Sequence, residues 1–219
     1  VPALRLAVLA SGAGTNLQAL IDAIASGALD ADIVGVFSDK PKSLALQRAR
    51  EAGLPAAALS PKSFASRAAF DAAFFAAVDE AQADLIVCAG YMRLIAAVEV
   101  EARPGRMINL HPSLLPAFKG LHTHQQALDA GVAEHGASVH VVTADLDGGP
   151  VIAQARVPVR PGDDADILAA RVREVEHPLL VDVVRLIGEG RLSLRDGRIH
   201  LNGASLHAPL QLGANRRLA

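Results

Sequence analysis

An asparagine and a histidine two residues apart, Asn109 and His111, close the apolar run Met107-Ile108-Asn109-Leu110-His111, directly before a proline. In an extended strand alternate side chains share a face, so the amide and the imidazole project together while Ile108 and Leu110 point away. Such a pair can hold a developing oxyanion. The carboxamide donates one hydrogen bond, and a protonated imidazole donates a second with a charge behind it. The same two residues would serve equally as satisfied polar groups at a strand end.

Three stretches could complete such a site. After His111 the chain reads P-S-L-L-P and reaches Gly120, and prolines fix φ and remove donors, which suits a rigid loop that positions the strand end. Near the start, residues 4–9 form an apolar run that breaks into Ser11-Gly12-Ala13-Gly14-Thr15-Asn16 before the helical spacing Leu17, Leu20, Ile21, Ile24. Strand, glycine turn and helix open a nucleotide-binding βαβ unit, in which the first helical amides favour a phosphate and glycines let it approach the backbone. A dinucleotide fingerprint would place a third glycine at position 17, where Leu17 stands. Asp39 ends the next strand where a ribose-binding acid would sit, so a dinucleotide-dependent dehydrogenase and a plain βα turn both remain open. Residues 143–150 read T-A-D-L-D-G-G-P, two carboxylates in a glycine turn.

The elements that must carry these stretches alternate. Residues 33–37 read as a second strand, 43–52 as a helix stopped by Gly53 and Pro55, and 54–59 as a short third strand. Residues 66–83, with Phe70, Phe74, Phe75 and Val78, read as an amphipathic helix, and 85–89 as a continuous apolar strand of the kind buried on both faces of a parallel sheet. After the strand at 107–110 come a helix at 124–130 stopped by Gly131, strands at 137–142 and 151–159, and a helix over 164–186 in which Pro178 would cost a backbone bond and bend the chain. Residues 192–195 and 198–201 flank Asp196-Gly197, a hairpin signal. The expected fold class is α/β: an open, mostly parallel twisted sheet with helices on both faces, Rossmann-like, ending in a C-terminal β-hairpin. Residues 1–212 are expected to form a single domain and 213–219 a disordered tail. The loops at 12–16, 90–95 and 111–120 would then open at one edge of the sheet, where open α/β sheets place their ligands.

The stretch N-x-H-P-S-L-L-P-x-x-x-G over residues 109–120 resembles the signature of the 10-formyltetrahydrofolate-dependent formyl transferases and hydrolases, and further matches extend over most of the chain. The resemblance implies a formyltransferase fold and the transfer of a formyl group from 10-formyltetrahydrofolate to the amine of glycinamide ribonucleotide. It implies Asn109, His111 and Asp147, rather than Asp145, as the catalytic set, with Asp147 matched through D-x-G-P-[VI]. It places the nucleotide phosphate on Gly12, Ala13, Gly14, Thr15 and Asn16, and its ribose side on Glu176 of the pair Glu176-His177. It places the folate on Arg67, from S-R-x-x-[YF]-D, on Met92, Arg93, Leu94 and Ile95, from A-G-[YF]-M-R-[IL], and on Asn109. Ser138 and His140, matching S-V-H, would support the site. A carboxylate near His111 would favour imidazolium over imidazole, and the expected mechanism requires that effect to exceed desolvation.

Size and composition bound the alternatives. A chain of 219 residues, 51% hydrophobic, can bury one sizeable core. A formal net charge of -2 argues against nucleic acid as the partner, and therefore against a methionyl-tRNA formyltransferase, which would also carry a tRNA-reading domain. A formyltetrahydrofolate hydrolase would share Asn, His and Asp but usually carries a regulatory domain before the first strand. His122, His124, His135 and His140 raise a metal, yet the chain lacks H-E-x-x-H and any cysteine cluster, so no metal is expected. The single cysteine, Cys88, sits in an apolar strand, compatible with a reducing compartment. No apolar segment has the length of a membrane span. The expectation is a cytoplasmic enzyme, monomer or homodimer, that acts on small molecules.

Overall fold

The computed structural model describes residues 2–195 and 197–219; Asp196, on which the hairpin signal partly rests, lies outside the described residues. The chain forms two compact units, Val1–Asn109 and Leu110–Ala219.

In the first unit, β1 (Leu4–Leu9), α1 (Thr15–Ala25), β2 (Ala31–Ser38), α2 (Leu44–Glu51), β3 (Ala56–Ala58), α3 (Arg67–Glu80), β4 (Leu85–Cys88) and α4 (Ala97–Glu101) precede β5 (Met107–His111), whose first three residues belong to this unit. Every pairing is parallel, in the order β3-β2-β1-β4-β5. Leu6, Ala7, Val8 and Leu9 are all fully buried, and because successive side chains point to opposite faces, the strand is covered on both. Helix starts follow their cap residues: Ser43 accepts from the Leu46 amide and Ser66 from the Ala69 amide. Phe70, Phe74 and Phe75 of α3 are fully buried, and Phe74 packs edge-on against Phe37 of β2. Leu9 pairs with Cys88 and Cys88 with Asn109, so the loops after β1 and β4 leave from the strand edge that Asn109 also occupies.

The second unit holds α5 (Thr123–Asp129), β6 (Glu134–Val141), β7 (Val151–Pro158), α6 (Ala165–Gly188), β8 (Leu192–Arg195), β9 (Arg198–Leu201), β10 (Ala204–Ser205) and β11 (Leu210–Gln211). β6 and β7 are antiparallel, β11 runs parallel to β7, and β8, β9 and β10 form a separate antiparallel sheet that contains the expected hairpin. The loop between β6 and β7 is tight for a steric reason: a Cβ at Gly149 would lie 1.8 Å from the Val141 carbonyl oxygen. Asp164 caps α6 through the Ile167 amide. Pro178 does not end this helix, which continues to Gly188, because Leu179, Leu180, Val183 and Val184 are fully buried and packing outweighs the lost bond.

Residues 213–219, expected as a disordered tail, are held instead. Leu212 bridges Leu218, and the Gln211 and Ala219 amides each donate to the other residue's carbonyl, at 3.1 and 3.2 Å. The cause is Asp182 of α6, a buried carboxylate that needs donors. It takes them from Arg185, Arg217 and the Leu218 amide at 2.7–2.8 Å. Tail composition suggested disorder because the partner, Asp182, lies far off in sequence.

Candidate active site

In the first unit the glycine turn is an uncapped helix start. Gly14 precedes α1 in the left-handed region, at φ 72°, no side chain caps the helix, and its first turn carries no acid. This contrasts with the serine caps of α2 and α3 and leaves the N-terminal dipole uncompensated, as an anion site requires. Gly14 has a second reason to be glycine, since a Cβ there would lie 2.6 Å from Ala45 Cα of α2. Gly12 and Ala13 are exposed. Two residues that the motifs did not single out set the loop. Arg48 donates to the Ala13 carbonyl at 2.8 Å, and Ser11 donates to Asp39 at 2.6 Å while accepting from the Met92 amide at 2.9 Å. Asp39, the candidate ribose acid of a dehydrogenase, is buried and engaged with Ser11.

The segment after β4 is tied to the same serine and to α3. Arg67 donates to the Leu94 carbonyl and lies 3.5 Å from Asp71. Arg93 stacks over Phe70 at 4.8 Å, Tyr91 stacks on Phe74, and Ile95 is buried. Met92 and Leu94 are 64% and 50% exposed, an apolar surface of the sort that binds a ring system. Tyr91 Oη and Arg93 Nε are buried with no hydrogen-bond partner among the described residues, and Asp71 Oδ2 is met by Arg67 Nε at 3.5 Å. Burial pushes the Asp71 carboxyl above its ordinary range, against the pull of Arg67 and Arg93.

The second unit assembles a polar centre around His111, which is 5% exposed at the end of β5, two positions after half-buried Asn109. His111 Nε2 lies 2.9 Å from the Phe118 carbonyl, so that nitrogen carries the proton. Nδ1 lies 3.5 Å from Asp147 Oδ2, and the other carboxylate oxygen lies 3.5 Å from His140 Nε2. His140 Nδ1 donates to the Val141 carbonyl at 2.9 Å, and the Gly120 amide donates to Asp147 at 2.9 Å. Asp147 has φ 47°, a left-handed conformation that aspartate tolerates better than most residues. Asp145 is exposed and uses its carbonyl to close the turn with Gly148.

Protonation departs from the expectation. Burial lowers the His111 pKa, and although the Phe118 carbonyl and the Asp147 carboxylate pull it up, while His140 opposes them, it ends below the ordinary histidine value. Desolvation therefore exceeds the carboxylate effect, and His111 is mostly neutral at pH 7. A separation of 3.5 Å is too long for the strong charge-assisted bond that would reverse this balance. Burial pushes the Asp147 carboxyl up, but the bonds from His140 and Gly120 and the nearby His111 hold it below the usual range, so it is a carboxylate.

Ser138, expected in support, holds the loop after His111. Its hydroxyl donates to the Ser113 carbonyl at 2.7 Å and accepts from the Leu115 amide at 3.0 Å. Gln154 was not singled out; its signal was a polar residue inside the apolar strand 151–159. Phe118 acts through its carbonyl, which no residue type reveals. Of the remaining histidines, His124 and His135 pair at 3.1 Å, and burial, then His124 and His111, lowers the His135 pKa to about 4. Among the described residues no group of three or more His, Cys, Asp or Glu is placed to hold a metal ion. Glu176 is half-buried on α6. No helix among the described residues is long and apolar enough to cross a membrane.

Residues 4–184 match the family described as formyl transferase. The chain is 44% identical over 203 residues to the phosphoribosylglycinamide formyltransferase of Escherichia coli K12, covering 93% of this chain and 96% of that one. The solved phosphoribosylglycinamide formyltransferase from Coxiella burnetii superposes with a TM-score of 0.89 at 43% identity, over 93% of this chain and 96% of that one. A formyltetrahydrofolate deformylase from Pseudomonas putida KT2440 gives 0.79 at 30% identity, covering 91% of this chain and 70% of that one.

Proposed function

This chain belongs to the formyl transferase family, and from that premise we propose that it transfers the formyl group of 10-formyltetrahydrofolate to the amine of glycinamide ribonucleotide, in de novo purine biosynthesis. The observation that carries this reading is the mutual, nearly full-length likeness to enzymes named for that reaction, at 44% identity, against 30% and partial coverage for the deformylase. The family match runs through both compact units, which supports reading residues 1–212 as one catalytic domain. The reading also takes the protein as a cytoplasmic monomer or homodimer whose partners are small molecules, and it needs no metal.

Each residue then has a chemical duty. The nucleotide phosphate is assigned to the amides of Gly12–Asn16 and its ribose side to Glu176; the folate is assigned to Met92, Arg93, Leu94, Ile95 and Asn109, with Arg67 toward its glutamate carboxylate. Asn109 donates to the formyl oxygen as the substrate amine adds to the formyl carbon and that oxygen gains charge. His111 begins neutral, with its proton on Nε2, so Nδ1 is the basic atom. It takes the proton released by the attacking nitrogen, and Asp147 offsets the imidazolium charge so formed. The carbon–nitrogen bond to the folate then breaks, the proton passes to the departing nitrogen, and formylglycinamide ribonucleotide and tetrahydrofolate result. The neutral resting state replaces the imidazolium expected from sequence, and charge on His111 arises only as the oxyanion does.

A formyl-transfer assay offering glycinamide ribonucleotide, water and methionyl-tRNA as acceptors tests the reading. Transfer to glycinamide ribonucleotide is expected; preferential release of formate would assign the chain to the hydrolases instead.

A further inference from the structure

Gln154 occupies the middle of β7, opposite Ser138 of β6 and beside Gln211 of β11, and is 5% exposed. Both hydrogens of its amide are committed: Nε2 lies 2.9 Å from the Leu115 carbonyl and 3.1 Å from Ser138 Oγ. Ser138, fully buried, is equally saturated. Its one proton goes to the Ser113 carbonyl, and its two lone pairs take the Leu115 amide and the Gln154 amide. A two-residue clamp thus grips Ser113 and Leu115 from three directions. Ser113 passes the constraint on, since its hydroxyl donates to the Ala117 carbonyl at 2.6 Å, and the next residue, Phe118, presents the carbonyl that fixes the proton on His111 Nε2.

We propose that Gln154 is a positioning residue for this reaction: through Ser138 and the 113–118 loop it holds the Phe118 carbonyl against His111 and so keeps Nδ1 as the basic nitrogen. The inference rests on the formyl-transfer reading given above. A neutral imidazole carries one N–H, and its placement follows whichever nitrogen has the better acceptor. Two acceptors compete here, the Phe118 carbonyl at 2.9 Å from Nε2 and the Asp147 carboxylate at 3.5 Å from Nδ1. Position alone gives the carbonyl its advantage over a charged rival. Loosening the loop removes that advantage, the proton moves to Nδ1, and the imidazole presents an N–H where the mechanism needs a lone pair.

The test uses the full chain labelled with ¹⁵N-histidine, without ligand, as wild type, Gln154→Met, Ser138→Ala and the double variant. Methionine keeps the length of glutamine and removes both donors. Wild-type His111 is expected to show the Nε2–H tautomer, with resonances moving toward Nδ1–H in Gln154→Met. kcat should fall about tenfold or more, the scale on which partners that orient a functional histidine act, with both KM values nearly constant. Ser138→Ala should reproduce the shift, and the double variant should be no worse than the more affected single one, because the two residues act as one unit. A folded Gln154→Met protein with unchanged tautomer and kcat overturns the inference, even if its melting temperature falls. Should that variant not fold, the same outcome in Ser138→Ala overturns it. If the wild type transfers no formyl group to glycinamide ribonucleotide, the functional reading fails, while the tautomer shift still decides whether the clamp exists.

Discussion

The centre around His111 and the segment after β4 are built on opposite plans. Around His111 the groups that matter are engaged: His111 has the Phe118 carbonyl, Asp147 accepts from the Gly120 amide and lies 3.5 Å from each of two imidazoles, and Ser138 has no hydrogen or lone pair to spare. Along residues 90–95, Met92 and Leu94 are largely exposed, and Tyr91 Oη and Arg93 Nε are buried without hydrogen bonds among the described residues. An unsatisfied buried polar atom costs about 1–3 kcal/mol, a cost that a bound polar group would relieve. Groups that meet developing charge gain from being fixed in advance, because no reorganisation then accompanies the reaction. Groups that recognise a ligand gain from being incomplete until it arrives.

If the centre is preorganised for chemistry, its charge should be the most sensitive feature. Asp147→Asn keeps the shape and tolerates the same left-handed φ, and it is expected to lower kcat by about 10³-fold, within the range of acid–base groups. Removing the carboxylate lowers the His111 pKa further, since Asp147 raises it. The acid limb of the pH–rate profile marks protonation of neutral His111, lies below the ordinary histidine value, and should move to still lower pH in the variant. A limb that stays in place would show that Asp147 does not act through His111. Asn109→Ala comes next, with an expected loss of about 10²–10³ in kcat, the scale for one oxyanion donor. The dissociation constant for the nucleotide should be nearly unchanged, and that for the folate, which Asn109 also borders, should change far less than kcat. A variant with weak binding and normal kcat would move Asn109 from the chemical side of the contrast to the recognition side.

Legibility divides along the same line. The strand 107–111, its motif and the turn D-L-D-G-G-P were readable because their chemistry is local: alternation puts Asn109 and His111 on one face, and Gly149 is required by the close approach of Val141. The helices expected from residues 43, 66 and 164 start there because Ser43, Ser66 and Asp164 cap them, chemistry that acts within three residues. What could not be read depends on partners distant in sequence. Arg48 on the Ala13 carbonyl, Asp182 under the tail and Gln154 on Leu115 are long-range contacts. The sign of the His111 shift failed for a related reason, since it is a difference between burial and three charges or dipoles, and sequence names the carboxylate without giving the depth.

Acid should destabilise the fold through His135. His135 is fully buried with its pKa lowered to about 4, well under the ordinary histidine value. A histidine whose folded pKa is depressed binds its proton more readily when unfolded, so stability falls as pH drops below about 6.5 and the loss saturates below about 4. The difference corresponds to about 3 kcal/mol at most. Urea midpoints at pH 7 and pH 4.5 should differ, and His135→Gln should reduce the difference. Equal pH dependence in the two proteins would place the acid lability elsewhere.

The smallest effect belongs to the segment and separates recognition from chemistry most cleanly. Met92→Ser and Leu94→Ser remove side chains that are 64% and 50% exposed, so each should change folding stability by no more than about 0.5 kcal/mol, as for other surface positions. The Met92 amide bond to Ser11 is a backbone contact and survives both substitutions. If a folate ring covers this surface, each substitution forfeits the part of the apolar burial that the ligand completes, about 1–1.5 kcal/mol for a half-exposed Met or Leu, or about tenfold in affinity. Calorimetry with tetrahydrofolate, the product that carries the ring system without the reacting group, reads that loss without turnover. kcat at saturating substrate and the His111 tautomer should both be unchanged, since neither side chain belongs to the hydrogen-bonded set around His111. Unaltered tetrahydrofolate affinity in both variants would mean that the exposed apolar side chains do not line the pterin site. A fall in kcat as large as the fall in affinity would mean that recognition and chemistry are not divided between these two regions.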